Sequence, residues 1–298
     1  TDNGNLTLTA NETLANGVVD AQRDSGNAEI NLTGATINTG TGTFTATISA
    51  GADKTNSGTA DITLNTVTAG ALVMTNNGTT TGSDILDSGV LTVSGTSSFT
   101  TVGDGVITLD SANALTGAVT LNTGSSANAT VDNGTTALII AESNVGGTLT
   151  LTSGATAGII DTMATASGTV TVGGDIYLIT DAGNGVISMG SLAVTGSVDL
   201  ATNGTGNATV VNATALDLAA STVGGALVAT ASAGNITDSG VLEITGAATF
   251  TVADGQSIYL NAVDATTNDA NKFDNQAAGQ ANADDGALGF VASSGKLA

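Results

Sequence analysis

Asp87-Ser88-Gly89-Val90-Leu91 returns as Asp238-Ser239-Gly240-Val241-Leu242, 151 positions on. The same offset carries Gly95 onto Gly246, Phe99 onto Phe250 and Ile107 onto Ile258. A half-period shows as well. Val145-Gly146-Gly147 returns as Val223-Gly224-Gly225, 78 positions on, and Asn128-Ala129-Thr130-Val131 as Asn207-Ala208-Thr209-Val210, 79 positions on. Repetition at a fixed period marks stacked units that bury their apolar faces on one another. It predicts a single elongated solenoid over residues 1–298 and favours a structural rod over an enzyme. Within it, residues 1–60 read as irregular N-terminal coils and 61–263 as regular repeats. Residues 264–298 read as an atypical segment that serves as cap, loop or joint.

Working outward, short alternations of apolar and polar residues fill the chain: Phe44-Thr45-Ala46-Thr47-Ile48, Val90-Leu91-Thr92-Val93, Val119-Thr120-Leu121, Leu216-Asp217-Leu218. Their period of two, their β-branched content and their Gly, Asn, Ser or Asp flanks predict strands. No stretch carries a capped helical stripe. The apolar positions Leu138, Ile159, Ile176, Val198, Leu216, Ile236 and Ile258 lie 17 to 22 residues apart. That spacing chooses a parallel β-solenoid with coils of about 20 residues over an antiparallel sandwich. Four such coils, or three longer ones, would make the 78-residue unit. Inward residues should stack like on like, with Phe99 and Phe250 equivalent and Ile107, Ile258, Leu138 and Leu216 in aliphatic ladders. Alternation turns Leu216 inward and Asp217 outward.

Composition agrees. Hydrophobic residues make up 41% of the chain but aromatics only 2%, which suits a narrow interior of thin layers. There is no Pro, so every strand residue can donate to a ladder. The net charge is −22, and Arg23, Lys54, Lys272 and Lys296 are the only cations. Such a surface excludes nucleic acid as a partner and disfavours anionic lipid. The longest strongly apolar run, about Ala137 to Ala141, is far too short for a membrane helix, so no membrane insertion is expected. The chain opens on Thr1, as a processed chain or an excised piece would. With no His and no Cys, Ser-His-Asp and Cys-His catalysis are ruled out.

Candidate sites are sparse. Asp87, Asp161 and Asp238 sit at matching turns, about four coils apart, too far to share one ion; they read as turn formers. Asp264, Asp269, Asp274, Asp284 and Asp285 form the densest acidic cluster, but their spacing matches no EF-hand loop. Calcium on the acidic surface is the one cofactor the charge would allow, and none is expected. Asp199 and Asp217, 18 apart, would stack on adjacent coils and form the carboxylate pair of a carbohydrate-active solenoid; solvated outward carboxylates are the plainer reading. Thr-X-Thr triplets start at Thr7, Thr43, Thr45, Thr148, Thr169 and Thr249, at spacings too irregular for a ranked array. Sequons start at Asn5, Asn11, Asn31, Asn77, Asn128, Asn133, Asn203, Asn207, Asn212 and Asn235, as a chain rich in Asn and Thr would produce. No catalytic, cofactor-binding or metal residue is assigned.

The stretch from Ala215 to Leu260, ALDLAASTVGGALVATASAGNITDSGVLEITGAATFTVADGQSIYL, resembles the repeats of filamentous-haemagglutinin-type exoproteins, bacterial surface adhesins often exported by two-partner secretion. The likeness is one of composition and rhythm over roughly residues 60–260. It implies a secreted or cell-surface rod, right-handed in its coil, that extends binding regions; it transfers no functional residue. Three functions follow as expectations. The first is a non-catalytic shaft segment of an adhesin, with host-surface or matrix glycans as partners of the whole. The second is a filament subunit joined end to end to other copies, and the third a carbohydrate-binding or carbohydrate-active β-helix.

Overall fold

A computed structural model of the chain describes residues 3–10, 28–49, 60–78, 82–162 and 168–260, with two further strands at Lys272–Phe273 and Leu288–Ala292. Those residues form an all-β, parallel solenoid with no helix among them. Alternation decides which residues form strands and which way they face. In Thr43–Ile48 and Ala248–Val252, every second residue is buried. Leu216 is buried and Asp217 lies outward, as expected.

The chain winds past two long sheets, A and B, in turn. β1 (Leu6–Ala10) lies on A. Then β2 (Ile30–Asn31) lies on B, β3 (Thr36–Asn38) on a short sheet C, and β4 (Thr43–Ile48) returns to A. The pattern repeats as β5 (Ile62–Leu64), β6 (Thr66–Ala69) and β7 (Ala71–Asn76), then as β8 (Ile85–Asp87), β9 (Leu91–Val93) and β10 (Ser97–Thr101). A fourth round is β11 (Ile107–Leu109), β12 (Ala114–Leu115) and β13 (Val119–Asn122). Each coil so far has a double side of two short strands on B and C and a single side on A.

After β13 the order changes. β14 (Ala129–Asp132) is a single side on B, and the next double side, β15 (Leu138–Ile140) with β16 (Ser143–Val145), lies on A. β17 (Leu149–Ser153) is single on B; β18 (Ile159–Asp161) and β19 (Val170–Val172) are double on A; β20 (Ile176–Thr180) is single on B. β21 (Ile187–Val194) runs along A against both β18 and β19, and β22 (Ser197–Thr202) is single on B. The order then reverts. β23 (Ala208–Asn212) is single on A, β24 (Leu216–Leu218) and β25 (Ser221–Val223) double on B, and β26 (Leu227–Ala231) single on A. β27 (Ile236–Asp238) and β28 (Leu242–Ile244) are double on B, β29 (Ala248–Val252) single on A, and β30 (Ile258–Tyr259) on B. β31 (Lys272–Phe273) and β32 (Leu288–Ala292) continue B and A.

Read this way, the repeat has seven sides. From β8 they run double, single, double, single, single, double, single; β18 begins the same series and β27 begins it again. Two sides make a coil, so the unit is three and a half coils. That corrects the expectation of four coils or three. Because seven is odd, each unit starts on the opposite sheet from the last: β8 on B, β18 on A, β27 on B. Only the 151-residue period, seven whole coils, returns a strand to its own face. The evenly spaced apolar series from Leu138 to Ile258 is corrected too. Leu138 and Ile159 stack on sheet A, whereas Ile176 stacks on Leu149 in sheet B.

The interior is continuous. Ile62, Ile85 and Ile107 stack on sheet B, as do Leu216, Ile236 and Ile258. Phe99 lies between Met74 and Leu121 on sheet A, and Phe250, on the same sheet, lies beside Ala229; all are fully buried. The repeated Val-Gly-Gly is a coil-to-coil contact. A Cβ on Gly146 would strike the Gly124 carbonyl oxygen, and one on Gly224 the Gly204 carbonyl, so both positions exclude a side chain.

One buried polar atom among the described residues, Ser97 Oγ, has no hydrogen-bond partner. Its equivalents in the next two units are Ile176 and Ala248. An unsatisfied buried hydroxyl costs free energy that a methyl does not. Ser97→Ala is therefore expected to stabilise the chain by about 1 kcal/mol. A lower midpoint in thermal unfolding would show that the hydroxyl has a partner.

Candidate functional site

The matching Asp turns are ties between coils. Asp87 closes β8 and accepts hydrogen bonds from the Asp110 N–H at 2.9 Å, Ser111 Oγ at 3.2 Å and Asn113 Nδ2 at 2.7 Å. Asp161, its equivalent, accepts the Ser191 N–H at 2.9 Å. Asp87 and Asp238 share sheet B seven rungs apart, and Asp161 lies on sheet A. The expected spacing of about four coils is corrected to three and a half, and the three carboxylates do not converge. No group of three or more Asp, Glu, His or Cys that could hold a metal occurs among the described residues. The acidic cluster at Asp264, Asp269, Asp274, Asp284 and Asp285 lies outside the described residues.

Asp199 and Asp217 do occupy adjacent rungs of sheet B, both outward, but they are not opposite one another. Ser197 faces Asp217, which places Asp199 two residues along. Diagonal neighbours of this kind are about 7–8 Å apart, backbone to backbone. Tyr177 lies beside Asp199 on the previous rung, and the Thr237 hydroxyl donates to Asp217 Oδ1 at 3.1 Å. No cation sits in any of these strands.

Burial pushes the Asp199 carboxyl above the ordinary 3.8. Burial also raises Asp87, against the pull of its Asn113 bond, and raises Asp84, which has Asp61 beside it. A raised folded-state value means that the native chain binds more protons than the unfolded one between 3.8 and that value. The stabilising effect of protonation is complete below the window and is lost as pH rises through it. Mild acidification from about pH 7 should therefore raise the melting temperature. Asp199→Asn should raise it near neutrality and leave it unchanged in acid. A variant that shifts both equally would refute burial as the cause.

The polar groups that the repeat preserves are inside. Asn133 and Asn212, 79 apart and both buried, make the same bonds. Asn133 Oδ1 accepts the Leu115 N–H at 2.8 Å, and its Nδ2 donates to the Leu115 carbonyl at 3.1 Å and the Ala137 carbonyl at 2.9 Å. Asn212 Oδ1 accepts the Val194 N–H at 2.9 Å, and its Nδ2 donates to the Val194 carbonyl at 3.2 Å and to the Ala215 carbonyl. Leu115 and Val194 end the last strand of a double side over which a single side is laid. There the ladder has no strand to continue into, and the Asn amide stands in for the missing peptide group.

A second pair handles the opposite mismatch, where a double side is laid on a single one. The Leu121 N–H donates to Ser143 Oγ at 3.0 Å and the Leu200 N–H to Ser221 Oγ at 3.1 Å. Each hydroxyl passes its own hydrogen back to a carbonyl two residues earlier, that of Ala141 or Ala219. These four residues are the device that moves the double side from one sheet to the other. Asn133 and Asn212 each begin a sequon, yet their amides are buried and engaged. The signal was present in the joint recurrence of Asn133 with Leu115 and of Ser143 with Leu121.

A threonine column runs along sheet A, and of its members only Thr9 and Thr47 belong to Thr-X-Thr triplets. Thr9 faces Thr47, Thr47 faces Thr75 and Thr75 faces Thr100. Thr45 meets Val73 on the next rung and Thr150 lies on sheet B, so the Thr-X-Thr triplets themselves form no rank on one face.

Among known families, one described as repeats of unknown function (DUF5649) matches residues 65–122 and 205–279. The two matches overlie at the 151-residue offset, hence on the same faces of the rod; the intervening, face-swapped copy falls outside them. Comparison with curated proteins and with solved structures returns no match.

Proposed function

We propose that the chain is a structural, non-catalytic rod segment of a secreted or cell-surface bacterial adhesin, holding binding regions away from the surface that carries them. One observation carries this reading: what the repeat preserves most closely are the residues that stack or tie coil to coil, whereas many outward strand residues vary. Phe99 recurs as Phe250, Asn133 as Asn212, Ser143 as Ser221 and Gly146 as Gly224. The outward residues drift: Leu86, Ile160 and Thr237 are equivalent, as are Thr92, Thr171 and Glu243, and as are Thr120 and Asp199. A repeated binding or catalytic surface would hold its outer residues constant. A spacer holds constant what stacks. The resemblance to filamentous-haemagglutinin-type repeats supports the location.

The test is an epitope inserted at Gly255, whose φ of +79° and open surroundings mark a turn that tolerates it. Antibody should label intact cells that express the full protein. Labelling only after lysis would overturn the surface location, and turnover of any member of a polysaccharide panel by the purified chain would overturn the non-catalytic role.

A further inference from the structure

The charge of the rod is distributed unevenly over its faces. Sheet B strands carry Asp87, Asp132, Asp199, Asp217, Asp238 and Glu243. Sheet A strands contain one charged residue, Asp161, which is tied down by the Ser191 N–H, and no cation. In a chain of net charge −22, a face that long with a single charge stands apart. Its other outward residues are mainly hydroxyls and methyls, with the amides of Asn122 and Asn144 among them. One column runs Thr9, Thr47, Thr75, Thr100; another runs Ile160, Ser188, Thr209, Val228. Val73 and Val228, each 37% exposed, stand in this face.

We infer that the outer face of sheet A is a lateral interface for a second copy of this chain. Charge selects that occupant. Two strongly acidic rods can approach closely only through an uncharged face, and pairing A on A keeps the two B faces farthest apart. Sheet on sheet, with side chains interleaved, is an ordinary way to pack such surfaces. The area suffices. The path from β1 to β32 crosses twelve strands, about 53 Å at the inter-strand spacing, and strands of about five residues are roughly 16 Å wide. The product, roughly 850 Å² per copy, meets the ~800 Å² per partner of a standard interface. A two-fold axis would pair the same patch with itself, which closes the assembly at two. This contact is sideways and separate from any joint between rod ends.

The experiment is sedimentation velocity on the full chain, on the order of 100 μM, from low salt to ~0.5 M NaCl. The expected result is a monomer–dimer equilibrium that tightens with salt, because screening weakens the long-range repulsion and leaves the uncharged contact intact. Thr100→Asp and Val228→Asp should each raise the dissociation constant at least about tenfold, since each substitution sets like charges across the axis. Thr108→Asp and Thr150→Asp, outward on sheet B, should leave it unchanged. Circular dichroism on all four variants verifies that they fold. A chain that stays monomeric throughout, sheet B variants as damaging as sheet A ones, or growth beyond the dimer would each overturn the assignment.

Discussion

Replacing Asn133 with leucine is expected to destabilise the chain by roughly 3–5 kcal/mol. The side chain is completely buried, and leucine keeps its branching but is bulkier and makes no hydrogen bond. The Leu115 N–H and carbonyl would lose their partner, as would the Ala137 carbonyl. Each orphaned group costs about 1–3 kcal/mol in a dry interior. Asn212→Leu should cost a similar amount for the same reason. The two sites lie three and a half coils apart, so the double variant should show near-additive losses. Urea denaturation followed by circular dichroism measures this. A cost below about 0.5 kcal/mol would mean that the amide is not a substitute for the ladder.

The second large effect concerns deletions. Removing residues 85–158 joins Asp84 to Ile159 and takes out one seven-sided unit. It forces every later strand onto the opposite face. It should nonetheless leave a folded, shorter rod, because β18 and β19 then rest on β5 and β6 as β8 and β9 did. Removing residues 85–175 takes out eight sides, four whole coils, and leaves every later strand on its own face. It should be far worse: the single side β20 would lie on the double side β5–β6 with no Asn to close the ladder, leaving Val67 and Ala69 uncovered. Thermal unfolding should be one sharp transition for the first deletion and early or split for the second. The opposite order would refute the seven-sided repeat.

Much of this was legible in the chain itself. Period-two alternation places Phe99, Leu216 and Phe250 inside and Asp217 outside, because in a strand parity alone sets the face. The repeat and the parallel stacking follow from Asp87–Leu91 and its echo. What alternation does not encode is which sheet a strand joins. Ile159 and Ile176 look alike and lie 17 apart, yet one is on sheet A and the other on sheet B. Whether a side holds one strand or two depends on a break of a few residues, such as Ala141–Glu142, that reads like any turn. The switch residues were harder still, since a buried Asn and an exposed sequon Asn have the same local sequence. Asp199 and Asp217 were correctly placed on adjacent rungs; their diagonal offset depends on a register that no local feature prints.

The central claim is that successive sides alternate between the two sheets, so that a seven-sided unit starts on the opposite sheet from the last, and one pair of cysteine variants tests that alternation. The chain has no cysteine of its own, so introduced pairs report cleanly. Tyr177 faces Thr150 across adjacent rungs of sheet B, although 27 residues separate them. Ile160, only 17 residues away, is outward on sheet A. Adjacent rungs place Cα atoms about 4.8 Å apart, within disulfide reach. Under mild oxidation, Thr150→Cys with Tyr177→Cys should form an intramolecular disulfide, and Ile160→Cys with Tyr177→Cys should not. A disulfide in the second pair and none in the first would place β18 and β20 on one face, and the half-coil repeat would be wrong.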